Sequence, residues 1–368
     1  MPSVFFYISG HGFGHASREI EVINALGAAA PQLPIVVRTD APRWIFERTV
    51  RVPFTLLPGA CDTGVVQRDS LHLDAAATIR AAAAFYADLA ARATAEASLL
   101  HARQAALVIT DAPPLACAAA ARAGIPAVVL ANFTWDWIYA AYPDTLAQEP
   151  SLIPRIQDAY GQAAEGWRLP LDGGFETVPN VTSIPFIARH AKHDRDHTRN
   201  ALGLPLDIPL ALSSFGGYGV DGLDLSGLDC LRTCGVVVTG HADLAARPRN
   251  VFFVEERRVY DAGLRYEDLV AAVEVVVTKP GYGIISECIA NRTAILYTSR
   301  GRFPEYDVMV AQMPRWLRSR FISHEDMFAG RWTHALEDLL AQAEPPERPS
   351  TNGAAVAAAR IADRAHAI

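Results

Sequence analysis

Residues 4–30 read VFFYISGHGFGHASREIEVINALGAAA, and the change of texture inside this stretch decides the fold. VFFYIS (4–9) is a continuous apolar run, as a strand covered on both faces requires. GHGFGH (10–15) follows as a loop. From Ala16 onward the apolar residues Ile20, Ile23, Leu26 and Ala29 recur at helical spacing. Strand, glycine loop and helix in this order form a unit of a parallel α/β sheet, which takes ligands beyond the carboxyl ends of its strands.

The same rhythm continues outward. IVVRT (35–39), ALVIT (106–110) and PAVVLAN (126–132) read as further strands, the second ending at Asp111. Residues 75–105 read as one alanine-rich helix, and PLACAAAARAG as another, stopped by Gly124. Around 180–208 the texture becomes polar and proline-punctuated, IPFIARHAKHDRDHTRNALGLPLDIP, and the alternation then restarts at LALSSFGG (210–217). GVVVTG (235–240), VFFVE (251–255), VEVVVTK (273–279) and TAILYT (293–298) are its later strands, and 350–368 is a closing helix. The reading is two α/β domains, 1–185 and 186–368, with the closing helix free to pack back on the first. A chain of 368 residues is long enough for each to bury its own core.

The bulk numbers exclude several classes. A net charge of −7 argues against a nucleic-acid binder. No apolar run approaches the ~18 residues of a membrane span. The start has no basic region and its apolar run breaks at Gly10, unlike a secretory signal, so a cytoplasmic protein is expected. Cys61, Cys117, Cys230, Cys234 and Cys288 lack zinc spacing and read as ordinary thiols. Only Lys192 and Lys279 are lysines among the 33 basic residues.

Two loops carry the chemistry. In the first, Gly12, Phe13 and Gly14 let backbone approach a ligand at a helix N-terminus, while His11 and His15 are general-base candidates and Arg18 lies one turn inside the helix. The bland alternative is a tight turn with structural histidines. A dinucleotide site is the other alternative, with Asp40 as its ribose acid, but the spacing is G-x-G-x-G and not G-x-G-x-x-G. In the second, KPGYGIISEC (279–288), a strand stops at Pro280 and a helix begins near Ile284. Lys279, Gly281, Tyr282 and Gly283 would surround a diphosphate at that helix start, and Glu287 would accept ribose hydroxyls. Gly216 and Gly217 form a second glycine turn lining the same site. In SRGRFPEYD (299–307), Arg300 and Arg302 suit phosphate, and Glu305 and Asp307 suit sugar hydroxyls, unless this is only a solvated loop.

Asn132, Trp135, Asp136, Trp137 and Tyr139 form a dense aromatic and polar cluster suited to a ring ligand, or to packing under a loop. On a strand Trp135 and Trp137 cannot share a face with Asp136, so part of the cluster is expected to be exposed. Asp62, Gln67 and Asp69 lie in a polar loop within reach of an acceptor. His190, His193 and His197 would share one face of a helix, but a charged connector is the simpler account and no metal is expected.

YISGHGFGHASREIEVINAL (7–26), the 109–142 stretch with NFTWDWIY (132–139), SSFGG (213–217) and KPGYGIISE (279–287) occur together in one family. Over nearly its whole length the chain resembles the glycosyltransferases of the B type (GT-B), the MurG-like and UDP-glycosyltransferase kind. It is similar, more narrowly, to the glycosyltransferase-like domain that precedes the kinase in plant L-arabinokinases. The kinase part has no counterpart in this sequence, so kinase activity is not expected. The resemblance implies two Rossmann-like domains facing across a cleft, with the acceptor mainly on the first and a nucleotide sugar, most simply a UDP-sugar, on the second. It implies His15 as base, with His11 second, Asp111 as orienting acid, Glu287 on the ribose and Glu305 on the donor sugar. The acceptor side comprises Gly12, Phe13, Gly14, Arg18, Asn132, Trp135 and Asp136. No cofactor or metal is expected. The alternatives are a non-catalytic module that senses nucleotide sugars, and an epimerase or hydrolase on the same fold.

Overall fold

A computed structural model describes residues 2–68, 71–215, 224–239 and 248–366. The first seven strands are β1 (Ser3–Tyr7), β2 (Ile35–Thr39), β3 (Thr55–Pro58), β4 (Ala105–Thr110), β5 (Ala127–Phe133), β6 (Glu165–Gly173) and β7 (Val181–Ser183). They form one sheet in the order β3-β2-β1-β4-β5-β6-β7. A second sheet holds β8 (Leu210–Ser213), β9 (Gly235–Thr239), β10 (Val251–Val254), β11 (Val275–Thr278), β12 (Ala294–Tyr297) and β13 (Ser319–Phe321), ordered β10-β9-β8-β11-β12-β13. Every strand pair in both sheets is parallel. Parallel sheets need both faces covered, which is why β1, β4, β5 and β11 are buried throughout or almost so.

In each sheet the strand order reverses beside the first strand, between β1 and β4 and between β8 and β11. Beyond the carboxyl ends of these strands lie the two glycine loops and Asp111. The order of the sheets therefore brings sequence-distant residues to one crevice.

The domains share apolar packing. One buried cluster runs from Phe6 and Ile23 of the first domain through Phe186 and Ile187 of the connector to Tyr282, Ile285 and Val276 of the second. The helix Gly353–His366 returns to pack on the first helix, α1 (Gly12–Ala29). Arg360 donates to Thr182 Oγ1 at 2.8 Å and covers the ring of Trp167, and Arg364 pairs with Glu165. No helix among the described residues is long and apolar enough to cross a membrane. Cys61, Cys117, Cys234 and Cys288 carry free, buried thiols.

Four local expectations need correction. The stretch 75–105 is two helices, Ala75–Ala87 and Leu89–Ala102, meeting at Asp88. Strands β3, β6, β7 and β13 escape the apolar-run signal because they are short, edge-placed or mixed; β6 contains Pro170 and three charged residues. The segment after Phe133 is a helix, Trp135–Ala140, and not a strand, so Trp135, Ile138 and Tyr139 all turn inward and only Trp137 is half-buried. His190 and His193 precede the helix Arg195–Leu202, whose N-cap is Asp194 accepting from the His197 amide. The three histidines therefore share no helical face, and His193 turns to Asp268 at 3.4 Å.

Candidate active site

The first loop leaves β1 at Tyr7 and enters α1 at Gly12, whose φ of 71° is a left-handed conformation that glycine adopts without strain. A side chain at Gly14 or Gly281 would meet no protein atom within 4 Å. Internal packing therefore does not explain glycine there, and open space beside two helix starts does suit a closely held ligand. A Cβ at Gly283 would meet only Gly14 Cα, at 3.9 Å, so the two loops face each other across the crevice.

One turn into α1, His15 Nδ1 lies 2.6 Å from Asp111 Oδ2 at the end of β4. Asp111 is fully buried, and His15 is 9% exposed. Burial alone would raise the Asp111 carboxyl, but His15 and the guanidinium of Arg18, which donates to Asp111 Oδ1, hold it below its ordinary value. Nδ1 is committed to the carboxylate, which leaves Nε2 as the ring atom able to take a proton. His11 sits beside this pair, its ring 6.2 Å from that of His15. Desolvation first, then electrostatic interaction with His15, Arg300 and Lys279, pushes its imidazole well below its ordinary range. His11 is thus held neutral near a basic group of residues.

Behind the histidines Trp135 is wholly buried and donates its indole N–H to Asp62 Oδ2 at 2.8 Å. Ser9 Oγ donates to the other Asp62 oxygen at 3.0 Å. Burial pushes the Asp62 carboxyl up to about 7. Asp62 thus belongs to the floor of the site and not to an exposed loop; Gln67 makes an isolated bridge to Leu73, and Asp69 lies outside the described residues. Asp136, by contrast, accepts from Gln157, because the next residue of the helix points about 100° away from Trp135. Phe13 packs edge-on against Trp44, at the rim.

On the second domain, Lys279, Gly281, Tyr282 and Gly283 surround the start of the helix Tyr282–Asn291. Tyr282 Oη accepts from the Ile187 amide at 3.1 Å, and Arg18 lies over its ring at 5.1 Å. Glu287 is buried and accepts from Arg189 Nε at 2.6 Å, while its second oxygen has no hydrogen-bond partner. Its carboxyl is raised by burial in spite of that arginine. Arg300 is tucked over Phe303, 3.7 Å from the ring centre, and its Nε is unpartnered; burial lowers its guanidinium from the usual value. Glu305 is buried between Asn132 Nδ2 at 2.7 Å and Arg300 at 3.7 Å. Arg302 and Asp307 are exposed on the surface. Gly216 and Gly217 lie outside the described residues.

The arrangement joins a buried imidazole–carboxylate pair to glycine-lined space between two helix starts. It can withdraw a proton on one side and bind negative charge on the other. The sequence patterns did not disclose Ser9, Asp62 as a buried group, or Arg189 as the partner of Glu287. Only the last had a legible signal, as a basic residue in the connector.

No family model matches the sequence. The chain is 29% identical over 363 residues, 96% of its length, to L-arabinokinase of Arabidopsis thaliana, and spans 33% of the length of that relative. Among solved structures it is similar to the glycotransferase of kitacinnamycin (TM-score 0.64, 17% identity, 99% of each chain covered). It is also similar to UGT2 of Phytolacca americana complexed with UDP-2fluoro-glucose and pterostilbene (TM-score 0.62, 13% identity, 99% of this chain and 94% of that one). With two parallel sheets that reverse order at a shared crevice, and with this similarity end to end, the chain has the GT-B fold of the glycosyltransferases.

Proposed function

We propose that the chain is a glycosyltransferase that moves a sugar from a nucleoside-diphosphate sugar, a UDP-sugar in the first instance, to a small acceptor. The observation that carries this reading is the His15–Asp111 pair, 2.6 Å apart, at the crevice where the two domains meet. His15 Nε2 takes the proton from an acceptor hydroxyl as the acceptor oxygen bonds to the anomeric carbon of the donor. The bond from that carbon to the diphosphate oxygen breaks, and the diphosphate leaves with the electron pair. Asp111 stabilises the imidazolium that forms. The amides at the start of the Tyr282–Asn291 helix, with Lys279 and Arg300, meet the charge developing on the leaving group. This charge balance includes no metal. Glu305 reads the donor sugar and Glu287, with Arg189, the ribose. Asn132 and Trp135 shape the acceptor side, with Gly12, Phe13 and Gly14 at its mouth.

One observation favours a second reading, a non-catalytic module that senses nucleotide sugars. Glu305 already has an internal partner in Asn132, and one oxygen of Glu287 is taken by Arg189, so a donor must compete for Glu305 and finds only the second Glu287 oxygen unengaged. Free nucleotide released from a panel of UDP- and dTDP-sugars, with and without small hydroxylated acceptors, separates the two. Binding of a nucleotide sugar without nucleotide release under any acceptor would sink the transferase reading.

A further inference from the structure

Five buried side chains form one unbroken chain across the cleft. His15 meets Asp111 at 2.6 Å, Asp111 accepts from Arg18, and Arg18 donates to Asn132 Oδ1 at 2.7 Å. Asn132 Nδ2 then donates to Glu305 Oε1 at 2.7 Å. The first four residues belong to the first domain and the fifth to the second. All five are at most 9% exposed.

We propose that Arg18 and Asn132 are positioning residues that link Glu305 of the second domain to the His15–Asp111 pair, so that the base is aligned when the domains are joined through Glu305. This deepens the transferase reading and rests on it for the roles of His15 and Glu305.

The chemistry of each member leaves it little freedom. Arg18 keeps its charge and has no lone pair to accept with, so it needs an acceptor on every bonded edge. Its remaining Nε has only Glu19, at 3.6 Å, whose carboxyl burial raises well above its usual range. Asn132 uses its oxygen toward Arg18 and its nitrogen toward Glu305; turned over, it would set donor against donor and acceptor against acceptor. The amide can therefore satisfy both neighbours in one orientation. Taking Glu305 away frees that orientation, and the hold of Arg18 on Asp111 loosens with it. A donor sugar that engages Glu305 thus acts on the same chain that sets the imidazole.

The test reads His15 directly. In the full-length protein labelled with 15N-histidine, the ring nitrogens of His15 are followed by NMR through a pH titration, assigned with His15→Gln. Glu305→Leu removes both the charge and the acceptor for Asn132; Glu305→Gln removes the charge but keeps an acceptor. The other titratable and charged groups near the two histidines, namely Asp111, Asp62, His11, Arg18 and Lys279, are kept in both, and Arg300, 3.7 Å from Glu305, loses its charge partner equally in both. The expected result is a displacement of the His15 midpoint by about 0.5 pH unit, roughly threefold in its protonation constant, in Glu305→Leu and in Asn132→Ala, with Glu305→Gln retaining at least half of the wild-type behaviour. Equal displacement by Gln and Leu means charge acting through space and overturns the proposal, as does no displacement at all. If Asn132→Ala fails to fold, Asn132→Ser, which keeps a hydroxyl, is held to the same criterion. Nucleotide release by the wild type is measured separately: a linked His15 without turnover defeats the transferase and not the linkage, and turnover with an unmoved His15 defeats the linkage alone.

Discussion

Replacing Asp62 by Asn should stabilise the protein at alkaline pH, and the size of the gain follows from the burial of that carboxyl. Asp62 is 5% exposed and accepts two neutral donors, Ser9 and Trp135, with no cation in direct contact. Desolvation raises its carboxyl from 3.8 to about 7. Because the folded value lies above the unfolded one, the folded state binds the extra proton between them. Stability from this group is complete below about 4 and falls as pH rises toward 7. At about 1.4 kcal/mol per pH unit the interval is worth ~4 kcal/mol, an upper figure for a buried group. Asn keeps an oxygen for the Trp135 indole and has no charge to desolvate. Urea unfolding of both proteins at pH 5 and pH 8 reads the effect, since titrations that do not interact with Asp62 cancel in the difference. Only the part of that interval above pH 5 is sampled, so Asp62→Asn should gain ~2–3 kcal/mol on wild type between the two pH values. A difference that stays constant within about 0.5 kcal/mol would mean that Asp62 is ionised in the fold, and the reasoning from burial fails.

Three further outcomes can be checked. His15→Ala should abolish nucleotide release while donor affinity by calorimetry stays within a few-fold; a parallel loss of affinity would make His15 a ligand contact instead of a base. Arg199 is fully buried and donates to the carbonyls of Ala272, Pro205 and Ile208 and to both oxygens of Glu274. Arg199→Met should therefore cost about 3–5 kcal/mol in urea unfolding, and a cost below about 1 kcal/mol would show these acceptors finding water instead. A nucleotide sugar present at about 100 times its dissociation constant should add ~2.7 kcal/mol of stability, visible as a raised Tm, and a panel of nucleoside diphosphates without sugar separates recognition of the base from recognition of the sugar.

The fold was legible wherever physics is local. Two-sided burial makes β1, β4, β5 and β11 continuous apolar runs, and their glycine loops mark the strand ends at which a crevice opens. Edge strands carry no such mark: Thr55–Pro58 and Val181–Ser183 are too short and too exposed to differ from a loop in composition. Trp135 misled in a different way. An aromatic run suits a strand as well as a buried helix turn, and only packing against Tyr160 and Asp62 decides between them. In the site, His15 and Asp111 were readable as residue types at strand ends, but their pairing was not. Arg18 and Asn132 are 114 residues apart, and Asn132 and Glu305 are 173 apart. Contacts at such separation come from sheet order and domain closure, which single-sequence patterns do not encode. The partner of Glu287 is of the same kind, 98 residues away on the connector.

The helix Gly353–His366 lies against α1, the element that carries His15 and Arg18. During synthesis, α1 leaves the ribosome hundreds of residues before its cover does. Until the last helix arrives, one apolar side of the first domain faces water, and the loop that bears the base is anchored on an unfinished support. The two domains thus cannot mature strictly one after the other. The first to be made is the last to be completed, and an incomplete chain, with an uncovered α1, would lack a settled first loop even when every residue of that loop is present.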